Sequence, residues 1–385
     1  MNEDVRLQAP YRAKALEALV ARFGSPLLVI DCDIIRRQYH ALADALPGVD
    51  LHFALKPLPE RTVVQVLERE GSWFDLATNG EVDLVRDAGI PASRCVHTHP
   101  IKRDSDIRHA LEYGVTTFVV DNPDEIAKFT PYRERVRLLL RVAFSSREAI
   151  VDLSRKFGCE PAAALDLVAL AAKSGIRITG FSFHVGSQVA RPDMYVEAIA
   201  TCGEFIAQAA GRGLGPLDTL DIGGGFAIDY LEPAPAIDEF CRPIRAALAR
   251  LPEGVRVIAE PGRYICGPAG IALSTVMGRS MRGTRWWYYL DDGIYGTFSG
   301  QLYDHSRFPI EPVRAPGRPR LPCVLSGPTC DSGDVIAEDL PMPELAIGEL
   351  MIARQVGAYT SATATDFNFF PRARVRFVNV GGSDA

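Results

Sequence analysis

The sequence predicts an α/β chain, a (β/α)8 barrel followed by an all-β domain. Three observations carry this prediction. From about residue 25 to about residue 265, short β-rich runs alternate with longer helical stretches, which implies βαβ units and a parallel sheet. The helical stretches often end on glycine, at Gly71, Gly89, Gly114, Gly175 and Gly213, the residue that stops helices most readily. Past about residue 265 the helical periodicity fades into short β runs punctuated by Pro and Gly.

Taken in chain order, the apolar run Pro26–Ile30 reads as a strand of either domain. The barrel runs follow as Asp50–Lys56, Ser72–Thr78, Cys95–Pro100, Thr116–Asp121, Arg137–Val142, Ile178–Val185, Thr219–Gly223 and Arg256–Glu260. Eight such runs within about 240 residues suggest closure into a barrel. Strand count alone leaves an open doubly wound sheet as the alternative. Helices are expected at Glu60–Glu70, Glu81–Ala88, Asp104–Tyr113 and Met194–Gly211. The β runs of the second domain are Gly270–Met277, Arg285–Leu290, Pro322–Ser326, Leu350–Gln355 and Arg374–Val380. The expected limits are an N-terminal segment over 1–30 that joins the β domain, a barrel over 31–265 and a β domain over 266–385. A barrel places chemistry at the C-terminal ends of its strands. Lys56, Asp75, His184, Gly223–Gly225 and Glu260 fall at or near those ends.

Composition narrows the function. A length of 385 residues allows two domains, and 47% hydrophobic with 23% charged residues excludes disordered and collagen-like chains. The 42 basic against 48 acidic residues leave a net charge of −6, which argues against a nucleic-acid partner. The eight cysteines include no C-x-x-C pair, so no zinc or redox motif is expected. The start, MNEDVRLQAP, is acidic and polar where a signal peptide is basic and then apolar. The most apolar helical stretch, around Ala162–Ala172, is short and interrupted by Asp166. A cytoplasmic protein with reduced thiols and no membrane partner is expected.

Four motifs carry chemistry. In HFALKPLP, Lys56 ends an apolar strand; burial that disfavours its charge makes it a nucleophile for carbonyls, whereas snorkelling into water makes it inert. GGGFAIDY follows a strand; its glycines either offer N–H groups to an anion or merely make a tight turn, and the Gly-x-Gly-x-x-Gly fingerprint is absent. EPGRY sets Glu260 and Arg263 on either side of a forced turn, suiting a cationic ring nitrogen and a phosphate, or else a plain surface pair. In SFHVGS, His184 could act as a base, stack on a ring or fill the core. Together, a carbonyl-reactive lysine, an acid for a ring nitrogen, a stacking imidazole and phosphate donors are what pyridoxal phosphate requires. A metal site is not expected, since His184 and Glu260 lack neighbours at ligand spacing.

These motifs resemble the fold-type III, pyridoxal-phosphate-dependent basic amino-acid decarboxylases, the ornithine/lysine group, with diaminopimelate decarboxylase as a relative. The matching stretches are FALK, FDLATNGE, VDNPDEIAKF, SRKFG, FHVGSQ, LDIGGGF, AEPGRY, DDGIYGTF, LYDH, GPTCDSGD and GAYT, in that order from about Pro26 to Phe370. The resemblance implies a TIM barrel of the alanine-racemase type and a role for each matching residue. Lys56 would hold the cofactor as a Schiff base, Glu260 would pair with the ring nitrogen and His184 would stack on the ring. Ser187, Gly224, Gly225, Arg263 and Tyr359 would hold the phosphate, with Gly223 among the cofactor-binding residues. Asp75, Glu81 and Arg141 would support lysine and ring.

Cys330 would return the proton after decarboxylation, Asp331 and Asp304 would bind the distal amine, and Tyr303 and Phe367 would line the substrate. In this family Cys330 and Asp331 would act on the other subunit's cofactor, so a homodimer with shared sites is implied. Two carboxylates facing the distal amine favour L-ornithine and L-lysine over diaminopimelate, whose second carboxylate they would repel. The implied products are putrescine and cadaverine, as in polyamine biosynthesis. HTHPIK and KPLP depart from the usual family stretches and leave room for another diamino acid, such as carboxynorspermidine. A silent regulator of the same fold would lose the lysine or the phosphate ligands, and a racemase would need a second acid–base group in place of Cys330.

Overall fold

The computed structural model describes residues 6–7, 11–144, 155–314 and 317–381. Ser154 of SRKFG, Ala315–Pro316 of RAPGRPRLP, part of the 1–30 segment and residues 382–385 lie outside the described residues. The chain divides into two compact units. One comprises Met1–Arg36, Ile228–Pro233 and Ile265–Ala385, the other Arg37–Ala227 and Ala234–Tyr264.

Helix α1 (Ala13–Phe23) and strand β1 (Leu27–Asp31) come first, and α2 (Cys32–Ala45) leads into the second unit. There β2 (Val49–Ala54), β3 (Trp73–Leu76), β4 (Cys95–His97), β5 (Thr117–Val120), β6 (Arg137–Val142), β7 (Ile178–Phe183), β8 (Thr219–Asp221) and β9 (Arg256–Ala259) form a closed barrel. Parallel pairing of β9 with β2, Leu51 opposite Ala259, closes it and excludes the open sheet. The connecting helices are α3 (Arg61–Arg69), α4 (Asn79–Asp87), α5 (Asp104–Tyr113), α6 (Pro123–Lys128), α7 (Ala164–Lys173), α8 (Asp193–Gly211) and α9 (Ile237–Leu248). All five predicted helix-stop glycines hold positive φ. Thr78 and Asn122 accept the Glu81 and Glu125 N–H groups and so cap α4 and α6. Val96, Val119, Leu139 and Ile258 fill the barrel interior. Between β7 and β8 only glycine fits at 180, since a Cβ there would lie 1.8 Å from the Thr219 carbonyl oxygen.

Several strands stop short of the runs read from sequence. Cys95–Pro100 ends as a strand at His97, and Thr219–Gly223 ends at Asp221. Beyond those points the backbone leaves the ladder to form the rim, and Gly223 takes φ +68°.

After α10 (Arg263–Cys266), the remaining elements are β10 (Gly270–Arg282), β11 (Arg285–Leu290), α11 (Gly300–Tyr303), β12 (Ile310–Pro312), β13 (Arg320–Ser326), β14 (Val335–Pro343), β15 (Leu350–Arg354) and β16 (Arg374–Val378). They form one sheet in the order β12-β15-β10-β11-β13-β14, with β1 pairing both β10 and β16. Leu27 and Val29 of β1, Leu16 and Leu19 of α1, and Ile271, Leu273, Ile352 and Val378 make its core. Residues 228–233, expected within the barrel, belong to this unit, where the Tyr230 ring meets Phe308 edge-on at 5.6 Å. Among the described residues no helix is long and apolar enough to cross a membrane.

Two histidines of the barrel unit are buried, His52 in β2 at 0% exposure and His97 at the end of β4 at 1%. His52 Nε2 and both ring nitrogens of His97 lack hydrogen-bond partners. Burial pushes each ring down to about 4, and so keeps it neutral. The unfolded chain, with histidine near 6.5, takes up protons that the folded protein refuses. Stability from these rings is therefore complete above about pH 6.5 and drains away as pH falls toward 4, by about 3 kcal/mol per ring at the low end. The unfolding temperature is expected to fall across that window, and to fall less in His97→Leu. Equal pH slopes in the two proteins would contradict this account.

Candidate active site

The barrel's C-terminal rim gathers most of the predicted residues. The Leu55 N–H donates to the Asp75 carbonyl at 3.3 Å, so Lys56 leaves β2 directly beside β3. Its ammonium Nζ lies 3.4 Å from Asp75 Oδ2, with the lysine side chain 43% exposed and the Asp75 side chain only 1%. The Thr98 hydroxyl donates to the other oxygen, Asp75 Oδ1. From α4, Glu81 accepts the Ala77 N–H. Burial, reinforced by the Asp75 charge, pushes Glu81 up to about 7, against the opposing Ala77 hydrogen bond and Lys56 charge.

His184 follows β7. Its Nδ1 accepts the Gly186 N–H at 3.1 Å, so the neutral ring carries its proton on Nε2. Burial holds it well below the usual histidine range, aided by the Arg141 and Lys56 charges. The Arg141 guanidinium in β6 sits 5.6 Å from the centre of the Phe157 ring.

The Gly223–Gly225 turn forms the neighbouring wall. A Cβ on Gly224 would lie 2.4 Å from the Glu260 carbonyl oxygen and 3.5 Å from His184 Nε2. Gly225, at φ +109°, would meet the Gly186 carbonyl oxygen at 2.3 Å. From α8 the buried Tyr195 hydroxyl donates to the Gly224 carbonyl at 2.7 Å, which pins the turn. Asp221, ending β8, accepts the Gly223 N–H at 2.9 Å and the Ser182 hydroxyl at 3.1 Å. Arg263, buried at the start of α10, donates to the Ser187 hydroxyl at 2.9 Å.

Glu260 follows β9, and its buried carboxyl neighbours that of Asp221. Burial, then the Asp221 and Asp75 charges, push Glu260 well above the carboxylate range. Burial raises Asp221 to about 6. Two neighbouring buried carboxyls cannot both ionise cheaply. Glu260 Oε1 is nonetheless buried without a hydrogen-bond partner. That orphaned oxygen asks for a donor that the protein does not provide.

These features fit pyridoxal phosphate. A ring N–H would satisfy Glu260 Oε1, the glycine turn leaves the space a side chain would fill, and Arg263 with Ser187 offers donors for a dianion. A lysine paired with a buried carboxylate supplies the amine.

The β unit holds the remaining predicted residues. Cys330 is exposed, and its N–H donates to Asn368 Oδ1 at 3.0 Å. Asp331 accepts the Tyr295 hydroxyl and the Gly333 N–H. The Tyr295 bond holds its carboxyl below the usual range. The Tyr295 ring stacks on Phe367 at 4.4 Å, which draws Asp331 and Phe367 together. Tyr303 and Asp304 close α11, Tyr303 at 61% exposure and Asp304 accepting the Ser306 hydroxyl at 2.8 Å. Tyr359 holds φ +54°, and its carbonyl accepts the Thr363 hydroxyl at 2.9 Å.

Sequence reasoning assigned no role to Thr98, Tyr195 or Asp221. Asp221 lies inside LDIGGGF and Thr98 inside the unusual HTHPIK, so both stood within quoted motifs. Nothing local marks Tyr195, whose partner Gly224 is 29 residues away.

Comparison with known proteins adds a family, two relatives and a solved structure in two complexes. The family model for the pyridoxal-binding domain of pyridoxal-dependent decarboxylases matches residues 32–267. The lysine/ornithine decarboxylase of Selenomonas ruminantium is 34% identical over 358 residues, 93% of this chain and 90% of that protein. The ornithine decarboxylase of Caenorhabditis elegans is 32% identical, over 90% of this chain and 86% of its own. Among solved structures, the lysine/ornithine decarboxylase of Vibrio vulnificus in complex with putrescine superposes with a TM-score of 0.92 at 54% identity. That match covers 97% of this chain and 99% of the other. The same Vibrio protein is also solved with cadaverine.

Proposed function

The chain belongs to the pyridoxal-dependent decarboxylases, and from that premise we propose that it decarboxylates L-ornithine and L-lysine to putrescine and cadaverine. The observation that carries the substrate choice is the 54% identity to a protein solved with both diamines. Bound pyridoxal phosphate supplies the sink for the electron pair left behind by carbon dioxide.

The chain's own residues do the rest. Lys56 would hold the cofactor through its amine, the group a carbonyl carbon needs. Asp75 keeps that nitrogen charged when it needs a proton, being the carboxylate 3.4 Å away. Glu260 would accept the ring N–H, with the buried Asp221 carboxyl as its neighbour. His184 would stack on the ring as a neutral imidazole, its Nδ1 accepting the Gly186 N–H. Arg263, Ser187 and the Gly223–Gly225 turn would hold the phosphate, Arg141 would add positive charge, and Tyr359 would be a further phosphate ligand.

Asp331, kept ionised by the Tyr295 hydroxyl, and Asp304 take the distal ammonium, with Tyr303 and Phe367 along the methylenes. Cys330 gives a proton to Cα, and its exposure suits a group that must reach substrate. The unit of function is a homodimer in which each chain lends Cys330 and Asp331 to its partner's site. It works in the cytoplasm, a reading supported by eight cysteines that are all free thiols.

The test is carbon dioxide release from ornithine, lysine, arginine, diaminopimelate and carboxynorspermidine with cofactor added. Ornithine and lysine differ by one methylene, worth about 1–3 kcal/mol, so both should turn over within roughly 200-fold of each other. Release from diaminopimelate or carboxynorspermidine in preference to both would reject the assignment.

A further inference from the structure

We propose that Thr98 is a positioning residue of this active site: its hydroxyl holds Asp75 so that the second carboxylate oxygen stays on the Lys56 nitrogen. The geometry is a relay across two adjacent strands. Thr98 is the first residue beyond β4, 7% exposed, and its N–H donates to the Leu76 carbonyl at 2.9 Å. This bond extends the β3–β4 pairing by one step past the strand and fixes where the side chain stands. The hydroxyl donates to Asp75 Oδ1, while Oδ2, buried and without a hydrogen-bond partner, faces Lys56 Nζ at 3.4 Å.

The loop after Thr98 is anchored too. The buried Lys102 ammonium donates to the carbonyls of His99, Pro100 and Val119 at 2.7–2.9 Å. A carboxylate can turn about its Cβ–Cγ bond. With one oxygen tethered by a hydroxyl on a braced loop, the other is aimed. Without the tether, Oδ1 would be a buried acceptor with no donor, at a cost of about 1–3 kcal/mol. The carboxylate would then rotate toward another donor, which withdraws negative charge from the lysine nitrogen.

Other charges share this space. Glu81 comes from α4, Arg141 from β6, Asp221 and Glu260 from the ends of β8 and β9, and His184 from the end of β7. His52 in β2 and His97 and His99 around the end of β4 complete the set, and burial holds all three imidazoles below their usual range. None of these eight donates to Asp75 Oδ1 in the way Thr98 does.

The inference rests on Lys56 being the residue that carries the cofactor. The experiment is a pH titration of the visible absorbance of the cofactor-loaded protein for wild type, Thr98→Val, Thr98→Ala and Thr98→Ser, with unfolding temperatures measured in parallel. An opposite charge within hydrogen-bonding range commonly moves a group by one unit or more. Thr98→Val and Thr98→Ala are therefore expected to shift the spectral midpoint down by about one unit, a tenfold loss of proton affinity. Thr98→Ser should restore it.

A purely structural threonine would lower the unfolding temperature in the hydroxyl-free variants and leave the midpoint where it was, and that result overturns the proposal. So does an upward shift. Thr98→Ala, which adds no bulk, keeps the test open if Thr98→Val does not fold. Failure of the underlying reading is separately visible, since the band would then survive in Lys56→Ala.

Discussion

Lys56→Ala is expected to abolish the visible band of the cofactor-loaded protein and to cut carbon dioxide release by at least roughly 10³-fold, the order at which removing a covalent catalytic group costs. Lys56 stands on the barrel rim beside β3, and its Nζ faces the buried Asp75 carboxylate at 3.4 Å. A lysine that merely snorkels into water has no use for a carboxylate that is itself 1% exposed. Burying that acid is costly unless a positive charge repays it.

Lys56→Arg sharpens the test. It keeps the charge opposite Asp75 but cannot condense with an aldehyde, so it should lose the band as completely as Lys56→Ala. Far-ultraviolet circular dichroism should stay unchanged in both variants. Absorbance and carbon dioxide release measured on the same preparations decide the matter. A band of wild-type intensity in Lys56→Ala would remove this residue from the mechanism.

The second large effect concerns Cys330. Cys330→Ala is expected to keep the band and lose about 10²-fold or more of carbon dioxide release, the usual contribution of a general acid. Seven of the eight cysteines are buried and Cys330 alone is exposed, so its loss leaves no cavity. Mixing Lys56→Ala with Cys330→Ala then tests the shared site. Each variant is nearly inactive alone, but if chains exchange freely half of the dimers are mixed. Every mixed dimer has one site with an intact lysine from one chain and an intact thiol from the other. About one quarter of wild-type activity should therefore return, as expected for an isologous pair. A mixture no more active than the sum of its parts would show that each chain completes its own site.

The barrel was legible because it is written locally. Strands buried on both faces carry continuous apolar runs, and Phe53–Leu55, Phe118–Val120 and Leu138–Leu140 are three of them. The stop glycines at 71, 89, 114, 175 and 213 are equally local, since each needs only its own positive φ. Elements with mixed signals were not legible. Strand β14 carries Glu338, Asp339 and Pro341 at a sheet edge, where solvent tolerates charge and a missing N–H costs little. Strands β1 and β16 were each legible as runs, but not their parallel pairing, Leu27 opposite Arg374, a contact across nearly the whole chain that no short window contains.

The site divides along the same line. Lys56, His184, Gly223–Gly225, Glu260 and Arg263 stood out through residue type next to a strand end, because a lysine, a glycine turn and an Arg beside an acid have few other uses together. What holds them was invisible. Thr98 reaches Asp75 across 23 residues, Tyr195 reaches Gly224 across 29, and Ser182 reaches Asp221 across 39. So the sequence by itself determined the fold class and the chemistry, both of which reside in contiguous segments and side-chain types. Only the tertiary structure decided which neighbours aim and brace those side chains, because closing a parallel barrel brings together strand ends that the connecting helices keep far apart along the chain.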